Sequence, residues 1–234
     1  MFRFEPLGEK LKICVSDEHS FGTDAFLLST FSSPKKTDVV YDLGTGCGII
    51  SMLWFRTVPP KKVYAVDIQE KAIEQLEITV KENELTDKIF PIRADLKQLK
   101  TIEQADLVVC NPPYNAAGAG IINELSAEQI ARHEILCDIY DVTKTAAKLL
   151  KFGGRLCICQ RPERLCDVID AMKKSGIEPK RLRFVQKDSV SAPWLFLIEG
   201  KKGSKPFLSV EKPFIMTDNN GGYSDEAKKM YYPE

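Results

Sequence analysis

Asn111-Pro112-Pro113-Tyr114 is the segment of this 234-residue chain whose side chains are best suited to handling a small chemical group. Two consecutive prolines fix φ and remove two backbone N–H donors, so the Pro112 carbonyl is held in a stiff, extended backbone rather than tied into a helix. Asn111 adds an amide oxygen as a second acceptor, and Tyr114 offers a flat ring on which a planar group can stack. Two fixed acceptors and a ring suit a planar amine.

A second segment, Asp42-Leu43-Gly44-Thr45-Gly46-Cys47-Gly48, sits between a strand-like and a helix-like stretch. Glycines at a β-to-α turn permit tight backbone geometry and close approach of a ligand, so a nucleotide-like ligand is expected there. The spacing is G-x-G-x-G with an Asp two residues ahead, not the G-x-G-x-x-G that holds a dinucleotide's pyrophosphate. Asp67 follows 19 residues after Gly48, at the end of the next strand, where a carboxylate can accept hydrogen bonds from both hydroxyls of a ribose. Asp95 ends the third strand in the same way. Each acid alone could be a turn residue or a helix N-cap. Three at successive strand ends fit an adenosine-containing cofactor. Upstream, Phe21-Gly22-Thr23-Asp24-Ala25-Phe26-Leu27-Leu28 reads as the start of a helix with Asp24 as its N-cap.

These residues need a frame. Val39 to Leu43, Val63 to Asp67, Ile89 to Ala94 and Asp106 to Cys110 are strand-like. Helix-like stretches lie at Ile49 to Arg56, Glu70 to Asn83 and Ala127 to Leu150. A strand after Gly153-Gly154, a helix over Pro162 to Ser175, and strands over Arg183 to Lys187 and Leu195 to Glu199 complete the pattern. Repeated β-α alternation predicts an α/β fold with a mostly parallel sheet and helices on both faces. Residues 1–37 read as a strand pair and a helix, 38–202 as the core, and 203–234 as an appendage with turns and a small helix over Ser224 to Met230.

With 44% apolar and 28% charged residues the chain is an ordinary globular protein, which excludes disorder as its main state. No apolar run approaches the ~20 residues of a membrane span, and the start lacks a signal-peptide pattern, so a cytoplasmic protein is expected. Seven cysteines without a C-x-x-C pair read as reduced thiols, and no metal site is expected. Lys plus Arg and Asp plus Glu both number 33, so the whole chain has no field to draw it onto a polyanion. Residues 144–205 nevertheless hold 15 basic against 6 acidic side chains. Lys180, Arg181 and Arg183 among them are either a phosphate footprint or a solvated face.

From Thr37 to Gly200 the chain resembles the Rossmann-like class I S-adenosylmethionine-dependent methyltransferases. That resemblance implies a seven-stranded sheet whose last strand is antiparallel, with the glycine loop around the methionine part of the cofactor. Asp67, with Ile68 beside it, would hold the ribose, and Asp95 and Leu96 the adenine. Asp42, Gly44, Gly46, Gly48 and Asn111 complete the implied cofactor contacts. Asn111 to Tyr114 is similar to the N-P-P-Y motif of enzymes that methylate nitrogen attached to an sp² system. There the Asn oxygen and the first Pro carbonyl accept from the target –NH₂ and favour positive charge developing on nitrogen.

The order of the G-T-D-x-x-L-L segment, the glycine loop and N-P-P-Y resembles the bacterial tRNA(Val) adenine-N6 methyltransferases. This implies Thr23 and Asp24 closing over the cofactor, and Arg132, His133 and Arg161 beside the substrate. It implies a tRNA partner; a monomer is expected. The same motif serves ribosomal-RNA guanine and release-factor glutamine methyltransferases, and the 37 residues ahead of the core are fewer than the helical domain usual in the latter. A cofactor-holding RNA-binding module without catalysis would be expected to have lost N-P-P-Y or the ribose acid, and this chain has both.

Overall fold

The computed structural model describes residues 2–17, 20–112, 137–218 and 220–233. The chain begins with β1 (Arg3–Leu7) and β2 (Leu11–Val15), an antiparallel hairpin that turns through Gly8. Next come α1 (Thr23–Ser32), β3 (Val39–Leu43), α2 (Ile49–Trp54), β4 (Lys62–Asp67), α3 (Glu70–Glu82) and β5 (Ile89–Arg93). They are followed by β6 (Ala105–Cys110), α4 (Ile139–Leu149), β7 (Leu150–Gln160), α5 (Leu165–Lys174), β8 (Ile177–Gln186) and β9 (Leu195–Lys202). The tail forms β10 (Ser209–Val210), β11 (Phe214–Ile215) and α6 (Asp225–Tyr231).

The sheet runs β10-β8-β9-β7-β6-β3-β4-β5, with β11 also paired to β8. Neighbours from β5 to β7 are parallel, and β9 lies antiparallel between β7 and β8. Seven long strands thus have the expected direction, and two two-residue strands extend the edge. β3 is buried at every position, as a parallel strand covered on both faces requires. One core cluster joins the sheet to α1, α2 and α3, and the other joins it to α4 and α5. α4 begins in a capping box: Asp138 accepts from the Asp141 N–H and Asp141 from that of Asp138. The part of the expected 127–150 helix before residue 137 lies outside the described residues.

Three expectations change here. Asp24 is not an N-cap: α1 starts at Thr23 behind an extended Gly22 with no side-chain cap, and Asp24 sits in the first turn. Its charge there still complements the positive end of the helix dipole. β8 starts at Ile177, six residues earlier than expected from Arg183, so Lys180 and Arg181 lie inside the strand. Pro179 obscures that start in the sequence; it sits at a register irregularity, where a missing N–H is tolerated. The tail, expected as an appendage, pairs β10 and β11 with β8 and places Phe214, Ala227 and Met230 in the first core cluster.

Candidate active site

The carboxyl ends of β3, β4, β5 and β6 border one cavity of about 430 Å³. Gly44 and Gly46, Asp67 to Gln69, Asp95 and Leu96, and Asn111 and Pro112 line it from these four strand ends. Ser20, Cys110, Cys137 and Val142 complete the wall. Open α/β sheets bind ligands at this edge.

The glycine loop is built by backbone bonds. The N–H groups of Gly44 and Thr45 both donate to the Val66 carbonyl, at 2.8 and 3.0 Å, clamping the loop to β4. Gly44 and Gly46 have φ of 70° and 55°, and a Cβ on either would point into open space. Gly46 N–H donates to Asp67 Oδ2 and Gln69 N–H to Asp67 Oδ1, each at 2.9 Å. An ionised carboxylate offers about four lone-pair positions, so the largely buried Asp67 keeps acceptor capacity toward the cavity.

Asp42 is fully buried beneath the loop, where Oδ2 accepts from Thr45 and Ser51 hydroxyls at 2.8 and 2.7 Å. Its Oδ1 has no hydrogen-bond partner among the described residues. Burial pushes this carboxyl up to about 6, against the two hydroxyl bonds. Asp95 accepts from the Lys97 N–H at 2.9 Å and so caps the short 3₁₀ turn Leu96–Gln98 while also lining the cavity. Asn111 is the first residue beyond β6, and the Sγ of Cys159 on β7 lies 3.0 Å from its Oδ1. Burial pushes the thiols of Cys47 and Cys137 up to about 12 and that of Cys110 well above its ordinary value, so these three are protonated at neutral pH.

Of the residues expected to contact a cofactor, Gly44, Gly46, Asp67, Ile68, Asp95, Leu96 and Asn111 meet in the cavity. Asp42, Gly48, Thr23 and Asp24 do not line it. At Gly48 a Cβ would fall 2.3 Å from Leu76 Cδ1, so the glycine leaves room for the Leu76 side chain of α3 against the turn into α2. The Thr23 hydroxyl pairs with that of Tyr231 at 2.9 Å, and its segment reaches the cavity through Ser20 instead. Gln69, Cys110, Cys137 and Val142 were not expected. Gln69 and Cys110 flank motif residues, and α4 carries Val142, but no residue type in the sequence sets them apart.

The basic residues of β8 are engaged in ion pairs and hydrogen bonds. Arg181 pairs with Glu199 and Glu211 at 3.1 and 2.7 Å and lies over the Phe31 ring, and Arg183 makes a fork of two 2.7 Å bonds to Glu226. Lys180 donates to the carbonyls of Lys205 and Pro206. These contacts tie the tail to the sheet. Arg161, just past β7, donates to the Trp194 carbonyl and lies 5.6 Å from the Trp194 ring centroid. Pro113, Tyr114, Arg132 and His133 lie outside the described residues, as does the Asn115 to Gly120 loop.

A sheet of this order, a clamped glycine loop and acids at successive strand ends define a nucleotide-cofactor α/β enzyme of the Rossmann-like methyltransferase class. Residues 15–174 match the family described as "Methyltransferase small domain". The chain belongs to this family and is a methyltransferase. A relative from Tolumonas auensis, named tRNA1(Val) (adenine(37)-N6)-methyltransferase, is 27% identical over 206 residues, 88% of this chain and 85% of that one. Another of the same name from Bacteroides thetaiotaomicron is 29% identical over 162 residues, 67% of this chain and 64% of that one. The crystal structure of a predicted O-methyltransferase from Agrobacterium tumefaciens shares the fold, with a TM-score of 0.71 and 18% identity over 88% of this chain and 94% of that one. No helix among the described residues is long and apolar enough to cross a membrane.

Proposed function

We propose that the chain transfers a methyl group from S-adenosylmethionine to the exocyclic N6 amine of an adenosine in tRNA, beside the anticodon of tRNA(Val), working in the cytoplasm. The observation that carries this reading is the meeting of two acceptor sets in one cavity: Asp67 and Asp95 on one wall, Asn111 and Pro112 on another. The relatives' shared name supports the nucleotide and the RNA.

The residues present fit the cofactor. The open space above Gly44 and Gly46 would admit a ligand against bare backbone, and Asp67 would hold a pair of ribose hydroxyls through its remaining acceptor capacity. Asp95 and Leu96 form an edge and an apolar surface for an adenine ring. When bound, S-adenosylmethionine supplies an electrophilic methyl group on a positively charged sulfur.

This chain's own part is to orient the amine. The lone pair of an exocyclic nitrogen is delocalised into its ring. Acceptance of its two hydrogens by the Asn111 amide oxygen and the Pro112 carbonyl turns the nitrogen toward sp³ geometry and stabilises the positive charge that grows on it. Both acceptors are fixed before reaction, so no reorganisation is needed at the moment of transfer. The proton leaves after the new N–C bond forms, and no base is required beforehand. The test is transfer from methyl-labelled S-adenosylmethionine to bulk unmodified tRNA, followed by nucleoside analysis. N6-methyladenosine is the expected product; label only on ribosomal RNA or protein would discard the substrate and keep the chemistry.

A further inference from the structure

We infer that Cys159 is a positioning residue for Asn111, holding the plane of its carboxamide; this rests on Asn111 being the amine acceptor. β6 and β7 run parallel, with Val109 beside Cys157 and Cys110 beside Ile158. One further step along each strand brings Asn111 beside Cys159. Strand alternation puts Val109, Cys157 and Cys159 on one face of the sheet and Cys110 and Ile158 on the other. Asn111 follows Val109 onto the first face, and there the Cys159 thiol donates to Asn111 Oδ1 at 3.0 Å.

The pairing answers a mechanical need. Asn111 is the first residue past β6, and the last torsion of an Asn side chain has broad, roughly two-fold wells. A mis-rotated amide would offer N–H donors to an amine that must donate. Cys159 is well placed to prevent this: it is fully buried, it follows Ile158, which pairs with Cys110 of β6, and its own partner on the other side is Leu197 of β9. An amide oxygen has two lone pairs. The thiol takes one of them from within the sheet. Because S–H is a weak donor, the oxygen keeps most of its accepting strength.

A role in packing alone predicts the opposite order of variants, since a serine hydroxyl is harder to bury here than an alanine methyl. We would compare the wild type with Cys159→Ala, Cys159→Ser, Cys159→Val and Asn111→Ala on bulk unmodified tRNA. The measurements are kcat, KM for tRNA, cofactor Kd by calorimetry, and the thermal midpoint.

Cys159→Ala should lower kcat about tenfold, the scale of one hydrogen bond lost at the transition state, with KM and Kd unchanged. Cys159→Val fills the space without a donor and should lose as much. Cys159→Ser should recover most of kcat despite a lower thermal midpoint than Cys159→Ala. Wild-type kcat in the Ala or Val variant, or a folded Ser variant no faster than Ala, overturns the inference so long as Asn111→Ala is inactive. An active Asn111→Ala overturns the amine-acceptor reading and this inference with it.

Discussion

Asp67 serves the chain and the cavity at once: each of its oxygens accepts one backbone N–H and has capacity for another partner. Asp67→Ala should therefore weaken cofactor binding by at least about tenfold in calorimetry, the scale of one charge-assisted hydrogen bond. Unchanged affinity would remove the ribose role. Asp42 poses a different problem, because folding lifts its carboxyl from 3.8 to about 6 by burial. A raised folded value means the folded state holds the proton more tightly. The stability this group contributes is full below about pH 4, falls as pH rises, and is gone above about pH 6. Asp42→Asn has no such titration, so its stability relative to wild type should rise across that window, by up to about 3 kcal/mol. A flat difference in urea midpoints from pH 4 to 7 would contradict the buried, proton-holding state. Gly44, Gly46, Asp67, Asp95, Asn111 and Pro112 were legible in the sequence because a strand's end fixes where the next residue points. The packing of Leu76 against Gly48 was not, because nothing local in the sequence marks the leucine that takes the place of its Cβ.

At the scale of elements, the turn into α2 accommodates the Leu76 side chain of α3 only because of Gly48, whose φ is 85° and whose missing Cβ leaves it room. Gly48→Ala should destabilise the fold by about 2 to 4 kcal/mol, adding left-handed backbone strain to overpacking. Pairing it with Leu76→Ala should not rescue it fully, since the strain remains and a cavity is added. Urea unfolding of the three variants measures this, and a Gly48→Ala protein as stable as wild type would contradict the packing role. Continuous apolar runs made β3, β4 and β6 readable, and the Ala72, Ile73, Leu76 and Val80 stripe did the same for α3. β8 was only half readable, because its polar residues are satisfied by partners far along the chain: Glu199, Glu211 and Glu226 lie 18, 30 and 43 residues from their arginines. No local pattern encodes such distant pairing. The tail's strands were missed for the same reason, as two-residue strands carry no period.

For the whole molecule, zero net charge leaves RNA binding to local features, and the basic excess of 144–205 is partly neutralised in the ion pairs that fasten the tail. Arg181→Ala should lower stability by about 1 to 3 kcal/mol by leaving Glu199 less well paired, yet leave the slope of log affinity for tRNA against log salt unchanged. A slope shallower by about one would return Arg181 to the RNA interface. The same tail brings Tyr231 against Thr23, 208 residues earlier, and its carbonyl accepts from Arg56. That seam has a consequence for how the protein is made. During synthesis the sheet from β3 to β7 can assemble while the chain still grows, but the stretch of chain between Ser20 and α1 stays unbraced until Tyr231 has been added. A nascent chain stalled before that point would hold its glycine loop and still lack the brace behind Ser20, so competence to bind cofactor should follow the synthesis of Tyr231 rather than that of the loop itself.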